Sequence, residues 1–269
     1  MEVIGLCRFS YSGIGGFQVE HGSVQERMDY LYQPDRMEER FRTFEGMTLP
    51  SLKRQTDPDF TLLIVIGDSL SAEHRSRLQS LVSDLPQAVI KSYAPGPHRK
   101  VMQSAINDVR RFDGSPCLQF RMDDDDAVAL SFVQKLRAVA NDLRAFAGRH
   151  RHIAIDFNQG FIVRPGPLGL WAAQSKLPFT TAALALMVRS DVRMTIMNFA
   201  HSKIGKKMPT VTLTGEDMFI RGHNDFNDSR QKEGIKPLKL ERLEEDAEKY
   251  VRDIFAVDSE HVRQLYAGT

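Results

Sequence analysis

The chain has 269 residues, and its 36 Lys and Arg side chains nearly balance its 35 Asp and Glu side chains, for a net charge of +1. A protein held to nucleic acid by bulk charge carries a large basic excess or a basic block, so this sequence predicts no nucleic-acid partner. Its 42% hydrophobic and 26% charged content is typical of a folded globular protein. The length allows one large domain or two small ones, and we predict one because no low-complexity linker divides the chain.

Targeting and membrane-spanning segments are not indicated by the sequence. The first residues contain Glu2 and Arg8, which leave no room for the apolar region of a signal peptide. The longest apolar runs, 62–66 and 182–188, are much shorter than the about 20 residues of a membrane-spanning helix. We therefore expect a cytoplasmic protein with no transmembrane segment, and peripheral membrane association stays open.

The first half of the chain alternates strand and helix patterns. Apolar and β-branched segments predict strands over 3–10, 60–66, 89–92 and 117–122. Apolar residues at helical spacing predict helices over 34–46, 71–85, 100–112 and 130–147. Strands and helices in alternation predict a parallel sheet with helical crossovers.

The second half is less regular. Short apolar segments predict paired strands over 153–156 and 161–163, then a loop over 165–169 and a buried strand over 182–188. Helical spacing predicts a helix over 191–198 and an amphipathic C-terminal helix over 243–254. These patterns indicate one fused α/β unit with an irregular second half.

Four adjacent aspartates, Asp123, Asp124, Asp125 and Asp126, follow a predicted strand and precede a predicted helix. The carboxyl ends of strands are where open α/β sheets bind ligands. Carboxylates this close repel one another, and burial raises their pKa values unless a cation is present. Oxygen-rich sites of this kind suit Mg²⁺, Mn²⁺ or Ca²⁺ better than zinc. This acidic tetrad is therefore a candidate metal site, and a solvated acidic loop is the alternative.

The tetrad and several other segments resemble the rhamnosyltransferase family of GT-A glycosyltransferases, which use nucleotide-sugar donors. The similar segments are 8–11, 36–41 with Phe44 and Glu45, 49–52 with Gln55, 59–64 and 120–127. The resemblance covers most of residues 3 to 225 and implies an α/β GT-A domain over 1–269, with a Rossmann-like, mostly parallel central sheet flanked by helices. Its implied parts are a nucleotide-sugar-binding half (1–127), an acceptor and catalytic half (128–235) and a C-terminal helical segment (236–269).

The resemblance also implies roles for the tetrad. The Asp-x-Asp element of GT-A enzymes matches Asp123 and Asp125, with Asp126 as an adjacent metal ligand, and the register Asp124 with Asp126 stays open. Asp123 and Asp124 would also contact the donor. Bound Mn²⁺ or Mg²⁺ would bridge these carboxylates to the donor diphosphate and absorb charge on the leaving group.

A second segment, 215–218, resembles the x-Glu-Asp element of inverting GT-A enzymes. In that element the aspartate, here Asp217, is the general base, and Glu216 lies beside it. The chemistry needs such a group, because an acceptor hydroxyl is a poor nucleophile until a carboxylate takes its proton. The structural alternative is the first turn of a helix, where the helix dipole favours acidic residues.

The resemblance also implies a histidine ligand, because some GT-A enzymes complete the metal site with a C-terminal histidine. His223 is the candidate histidine ligand of the metal, with His201 as its rival. Lys206 and Lys207, near Lys203, would form a loop over the diphosphate, although solvated lysines are the alternative.

Three further residues are candidates for donor binding, and one for acceptor binding. Arg8 and Arg121 could contact donor phosphates or offset the charge of the tetrad, and Asp68 could reach the nucleotide base. Trp171, the only tryptophan, could stack on a sugar of the acceptor, although a core position is the alternative.

Together these residues predict a metal-dependent, inverting transfer of a sugar from a nucleoside-diphosphate donor to a hydroxyl of a saccharide or glycolipid acceptor. Rhamnose is a candidate sugar, and polysaccharide biosynthesis a candidate setting. One alternative is a sugar-phosphate nucleotidyltransferase, but its Gly-rich loop needs a basic residue, and Gly13, Gly15 and Gly16 have no lysine among them. The second alternative is a non-catalytic metal-binding protein.

The two cysteines, Cys7 and Cys117, form neither a disulfide framework nor a zinc pattern. If the first and fourth strands are neighbours, as the GT-A fold implies, we expect the two thiols to lie near each other and to stay reduced.

Overall fold

A computed structural model describes residues 1–15, 21–180, 182–224 and 239–267. Its strands are β1 (Glu2–Arg8), β2 (Thr61–Gly67), β3 (Ala88–Tyr93), β4 (Cys117–Asp123), β5 (Ala127–Val128), β6 (His152–Phe157), β7 (Gln159–Gly166), β8 (Gly169–Lys176), β9 (Leu184–Val188), β10 (Thr210–Leu213), β11 (Phe219–Gly222) and β12 (Glu241–Arg242). Its α-helices are α1 (Val24–Leu31), α2 (Pro34–Thr43), α3 (Leu49–Lys53), α4 (Ala72–Leu81), α5 (His98–Val109), α6 (Phe132–Asp142), α7 (Arg144–Ala147), α8 (Glu245–Phe255) and α9 (Ser259–Ala267). A π-helical turn (Phe44–Thr48) and two 3₁₀ helices (Ile196–Asn198 and His201–Lys206) complete the set.

The central sheet has seven strands in the order β10-β6-β9-β4-β1-β2-β3. All neighbouring pairs are parallel except those made by β9, which runs antiparallel to both β4 and β6. A second sheet of five strands has the order β12-β8-β7-β11-β5. The α/β fold class with a mostly parallel central sheet flanked by helices is therefore confirmed.

Strand β2 shows why the apolar runs of the first half form the centre of the sheet. Leu62, Ile64 and Ile66 pack into one hydrophobic cluster, and Leu63 and Val65 pack into another on the opposite face. Successive side chains of a strand point to opposite faces, so a strand covered on both sides must be apolar throughout.

The predicted elements of the first half are confirmed, with shifted ends. Ser71 caps α4, because its hydroxyl accepts the backbone N–H of His74 at 3.2 Å. The helix predicted over 34–46 continues to Lys53 through the π-helical turn, and Pro50 is tolerated because it lies in the first turn of α3. The helix predicted over 130–147 divides into α6 and α7 at Leu143.

Two predictions for the second half are wrong. The segments 153–156 and 161–163 do form strands, but β6 lies in the central sheet and β7 in the second sheet, so they do not pair. Most of 191–198 is not helical, and only Ile196–Asn198 forms a 3₁₀ turn. Side chains from the first half of the chain donate hydrogen bonds to backbone carbonyl oxygens of this segment. Arg110 donates to the carbonyl oxygen of Val192, and Gln103 and Asn107 donate to the carbonyl oxygen of Arg193. A backbone whose polar groups are already paired needs no helix to satisfy them.

The expected closeness of the two cysteines is also wrong, although β1 and β4 are neighbours. The parallel register places Cys7 opposite Met122 and Cys117 opposite Glu2. At about 3.3 Å per residue, five positions separate the two cysteines by about 16 Å, too far for a disulfide. Both are free and buried.

The topology brings the ends of several strands to one edge of the central sheet. Because β1, β2 and β4 are parallel, Arg8, Gly67 and Asp123 end these strands on the same side. Strand β10 runs parallel to β6, which has the direction of β4, so it ends there too. Among the helices in the described ranges, none combines the length and the apolar character needed to cross a membrane.

Candidate functional site

The acidic tetrad begins at the carboxyl edge of the central sheet, where β1 and β4 end side by side. The register pairs Arg8 with Asp123, the last residues of the two strands. The Arg8 guanidinium forms an ion pair with Oδ1 of Asp123 and also donates to Nε2 of His98 at 3.2 Å. Because Nε2 accepts this hydrogen bond, the neutral His98 ring carries its proton on Nδ1. Arg8 thus connects a carboxylate and an imidazole at this edge.

The α2 to α3 segment supports the turn that follows β4. Arg40 of α2 forms an ion pair with Asp124, whose side chain is buried. Thr48 donates from its hydroxyl to the backbone oxygen of Asp126 at 2.8 Å. Sequence analysis assigned no role to Arg40, although it lies in a segment that resembles the family.

The last two aspartates face the end of β11. Asp126 accepts the backbone N–H of Asp123 on Oδ2 at 3.0 Å and that of Gly222 on Oδ1 at 3.1 Å, so it closes the turn. A Cβ at Gly222 would lie 2.4 Å from the backbone oxygen of Asp125, so only glycine fits there. Oδ2 of Asp125 accepts the side-chain amide of Asn224 at 3.0 Å. The four carboxylates therefore diverge: Asp123 faces β1, Asp124 faces α2, and the other two face β11.

The negative charge of the tetrad is unevenly compensated. Burial and the neighbouring carboxylates raise the pKa of Asp125 well above its ordinary value, and burial with the charge of Asp123 raises the pKa of Asp126 to about 7. Burial also raises the pKa of Asp124, despite its ion pair with arginine. At Asp123 desolvation acts in the same direction, but Arg8 and two further arginines lower the pKa to about 2. The charge near Asp125 and Asp126 would favour a cation.

Cationic and imidazole side chains surround Asp123 on the other side. Arg121 lies in β4, two residues before Asp123, and burial with the charge of Arg8 lowers its pKa to about 10. Burial, Arg8 and Arg121 lower the pKa of His98 to about 3, so His98 is neutral at pH 7. His201 donates from Nδ1 to the backbone oxygen of Phe179 at 2.9 Å, and burial lowers its pKa. No role was predicted for His98, which a hydrogen bond with Arg8 connects to the site.

Three other predicted donor residues lie near the surface. Asp68 follows β2 at the carboxyl edge and is exposed, and its backbone N–H donates to Tyr93 at 3.0 Å. Lys206 and Lys207 are exposed, as the solvated alternative predicted. Lys206 ends a 3₁₀ helix, His201–Lys206, and Lys207 follows it, so their position over the diphosphate stays a prediction. The Gly16 of the glycine-rich segment lies outside the described residues.

The Glu216 and Asp217 carboxylates have their own partners. Asp217 accepts from Nε2 of Gln159 at 3.1 Å on Oδ1 and from the hydroxyl of Tyr250 at 2.8 Å on Oδ2. Glu216 forms an ion pair with Lys135 of α6. Asp217 precedes β11 rather than a helix, so the helix-turn alternative is wrong.

The structure does not bring Asp217 into contact with the tetrad. Gly222, which lies against Asp125, is five residues from Asp217, and five extended residues span at most about 16 Å. Both groups border the carboxyl edge, because β10 and β4 end there. Strand β11 pairs antiparallel with β5, with Phe219 opposite Val128, so Asp217 lies past the end of β5 that is farther from the tetrad.

Trp171 and His223 line a cleft of 560 Å³ on the side of the tetrad that faces β11. The cleft is lined by Glu39, Arg164, Pro165, Gly166, Pro167, Leu168, Trp171, His223, Asn224, Leu240 and Tyr266. Its inner end reaches the tetrad, since Asn224 bonds to Asp125. Trp171 is 38% exposed on β8, so the core alternative is wrong. The backbone N–H of His223 donates to Val163 at 2.9 Å.

The donor set fits a metal ion shared with a substrate, not one enclosed by protein ligands alone. Within the part of the chain that the structure describes, no three His, Cys, Asp or Glu side chains converge on a common position. Both oxygens of Asp126 accept backbone amides, and Asp124 pairs with Arg40. Asp123 is the partly exposed carboxylate, and Asp125 is buried with one oxygen bonded to Asn224. Mg²⁺ in enzymes is commonly held by one or two carboxylates together with phosphate oxygens and water.

Comparison with known proteins identifies one matching sequence family and several solved structures of low sequence identity. No curated protein matches the chain. The solved structure of S. aureus TarS 1-349 shares 10% identity over 82% of this chain and 60% of TarS, with a TM-score of 0.44. The structure of TarS 1-349 in complex with UDP shares 9% identity over 83% of this chain and 61% of TarS, with a TM-score of 0.46. A UDP-glucose pyrophosphorylase complexed with UDP-glucose shares 8% identity over 100% of this chain and 98% of the pyrophosphorylase, with a TM-score of 0.31.

The chain spans about 60% of the length of TarS 1-349. The model of the family described as "Putative rhamnosyl transferase" matches residues 2–236, which is most of the sequence. This match covers the tetrad, the strand ends beside it and the Glu216-Asp217 segment. The chain therefore belongs to this rhamnosyl transferase family.

Proposed function

We propose that this protein is a glycosyltransferase that takes a nucleoside-diphosphate sugar as its donor and binds the diphosphate at the carboxyl edge of the central sheet. The observation that carries the proposal is the Arg8–Asp123 ion pair at the adjoining ends of β1 and β4. Arg121 and the neutral His98 lie beside it. Guanidinium groups match the geometry of phosphate oxygens, and a partly exposed carboxylate next to them suits a bridging cation.

In this proposal Asp123 and Asp125 hold Mn²⁺ or Mg²⁺, and His223 is the third candidate ligand. When bound, the metal neutralises charge on the departing nucleoside diphosphate. Arg8 and Arg121 contribute positive charge to the same group. Asp124 and Asp126 keep the turn in shape through Arg40 and the backbone amides, and Lys206 and Lys207 lie outside this inner set.

Asp217 is the proposed general base of an inverting reaction. Its carboxylate is oriented by two neutral donors, Gln159 and Tyr250, and no cation among the described residues pairs with it. A carboxylate held in this way can take a proton from an acceptor hydroxyl as the hydroxyl attacks the anomeric carbon. Glu216 is held away by Lys135, so Asp217 is the better candidate of the two. The donor sugar would lie between the tetrad and Asp217.

A donor screen tests the proposal. The protein is incubated with nucleoside-diphosphate sugars that differ in base and sugar, dTDP-rhamnose among them, and with a set of saccharide acceptors. Release of nucleoside diphosphate is measured with Mn²⁺, with Mg²⁺ and with chelator. We expect acceptor-dependent release that chelator suppresses, and inverted anomeric configuration by NMR of the product. Release from no donor would overturn the donor assignment, and unchanged release in chelator would overturn the metal assignment.

A further inference from the structure

An exposed tryptophan lies between two arginines on the second sheet. Trp171 of β8 is directly opposite Arg164 of β7 and directly opposite Arg242 of β12. Residues opposite each other in antiparallel strands point to the same face, with Cβ atoms about 5 Å apart. All three side chains are exposed. We call Arg164, Trp171 and Arg242 the Arg–Trp–Arg strip.

The strip lies at one wall of the 560 Å³ cleft, which Arg164 and Trp171 line. Glu39 also lines the cleft, and its carboxylate accepts from Tyr266 at 2.7 Å. A tryptophan ring offers a flat apolar surface to the C–H groups of a sugar, and guanidinium groups bind carboxylates and phosphates. The strip therefore suits a sugar that carries an anionic group.

The strip is far from the proposed base. Gln159, which donates to Asp217, and Arg164 are both in β7, five residues apart. Because this number is odd and the pairing of β7 is unbroken, the two side chains point to opposite faces of the second sheet, and their positions along the strand are about 16 Å apart. An acceptor that reaches both the base and the strip must therefore extend around the end of β7 and contain several sugar units.

We propose that the Arg–Trp–Arg strip is an acceptor subsite that binds an anionic oligosaccharide or polysaccharide several units away from the reacting hydroxyl. The role of the strip as an acceptor subsite rests on the proposed function, whereas binding of an anionic saccharide at the strip does not depend on turnover. The anionic group is a carboxylate or a phosphate, since both have oxygens that guanidinium groups recognise.

Intrinsic fluorescence provides a direct test, because Trp171 is the only tryptophan in the chain. The full chain is titrated with galacturonate oligomers of increasing length and with neutral malto-oligosaccharides of the same lengths. We expect the charged series to change the tryptophan emission at concentrations about tenfold lower than the neutral series, and added salt to weaken only the charged series. Glucose 6-phosphate compared with galacturonate then distinguishes phosphate from carboxylate recognition.

The variant Arg242→Gln separates charge recognition from folding. It should weaken binding of the charged oligomers about tenfold and leave the neutral series unchanged. Arg189→Gln, an exposed arginine paired with Asp191 far from the cleft, is the matched control. Equal binding of the two series, no emission change with either series, or an unaffected Arg242→Gln variant would overturn the proposal. A protein that binds charged oligomers but releases no nucleoside diphosphate from any donor would refute the proposed function while leaving the subsite in place.

Discussion

The two acidic groups of the site, the tetrad and the Glu216-Asp217 pair, differ in burial and in their partners. The tetrad is largely buried; arginines bind Asp123 and Asp124, and uncharged amides bind Asp125 and Asp126. Asp217 is held by the neutral side chains of Gln159 and Tyr250. The arginines of the tetrad suit a site that binds a phosphate-bearing ligand, whereas a carboxylate outside that cluster with only neutral partners is able to accept a proton.

This difference shows that acidic residues of similar local sequence acquire their chemistry from long-range partners. Arg8 and Asp123 are 115 residues apart, and Asp217 and Tyr250 are 33 apart. If the comparison is correct, removing each group should impair a different step, donor binding at the tetrad and proton transfer at Asp217.

The largest effect is expected for Asp217→Asn. Loss of a general base reduces turnover by about 10²–10⁴-fold, and the amide cannot take the acceptor proton. Binding of nucleoside diphosphate with Mn²⁺, measured by calorimetry, should stay unchanged because the residue is distant from the tetrad. Wild-type turnover would show that the base lies elsewhere, and lost nucleotide binding would show that the two groups act as one.

Asp125→Asn should give the complementary result. Removing one carboxylate charge from the proposed metal site should weaken Mn²⁺-linked nucleotide binding by about 100-fold, with a corresponding loss of turnover at limiting donor. Calorimetry with nucleoside diphosphates, with and without Mn²⁺, measures the effect. Asp191→Asn, an exposed aspartate paired with Arg189, is the matched control. Identical Mn²⁺ dependence in Asp125→Asn and wild type would refute the metal assignment.

Tyr250→Phe tests whether neutral hydrogen bonds position the base. The change removes one hydrogen bond to Asp217 and should lower kcat about tenfold, since 1.4 kcal/mol corresponds to a factor of ten. The KM for the donor should not change. In the Asp217→Asn background the same substitution should have no further effect, because the carboxylate that it positions is gone. Additive losses in the double variant would assign Tyr250 a role independent of Asp217.

Much of the fold could be predicted from local sequence. Strand β2 is apolar at every buried position because it is covered on both faces, and this pattern is visible without a structure. The segment 191–198 has helical spacing, but Arg110, Gln103 and Asn107 take its carbonyl oxygens from a distance of more than 80 residues in sequence. Such contacts leave no local pattern, so the helix prediction was wrong.

Some residues of the site could likewise be predicted from the sequence, and others could not. Arg8, Arg121 and the tetrad could be predicted to lie together, because parallel strands end at one edge and these residues occupy the strand ends. Arg40 and His98 could not, since their partners Asp124 and Arg8 are 84 and 90 residues away. The separation of Asp217 from the tetrad depends on the pairing of β11 with β5 and β7, which the sequence pattern did not reveal.

The smallest expected effect is a change in the free energy of unfolding with pH, which arises from the lowered pKa of His98. The folded chain lowers the pKa of His98 to about 3, from about 6.5 in the unfolded chain. Between these values the unfolded state binds a proton that the folded state does not, so stability is fully present above pH 6.5 and decreases as the pH falls toward 3. Asp126, with its pKa raised to about 7, acts in the opposite direction between about pH 4 and 7.

The variant His98→Gln isolates the imidazole from the tetrad. Glutamine can accept the hydrogen bond from Arg8 but does not titrate, while Asp126 contributes equally to both proteins. The free energy of unfolding of wild type relative to His98→Gln should therefore fall by a few kcal/mol at most from pH 7 to pH 4, as followed by urea denaturation. A difference that does not vary with pH would mean that folding does not lower the pKa of His98, which would then be protonated below about pH 6.5 in the folded chain as well. In that case Arg8 would face a second cation, and the arginine side of the tetrad would be less well suited to release Asp123 to a metal than the structure indicates.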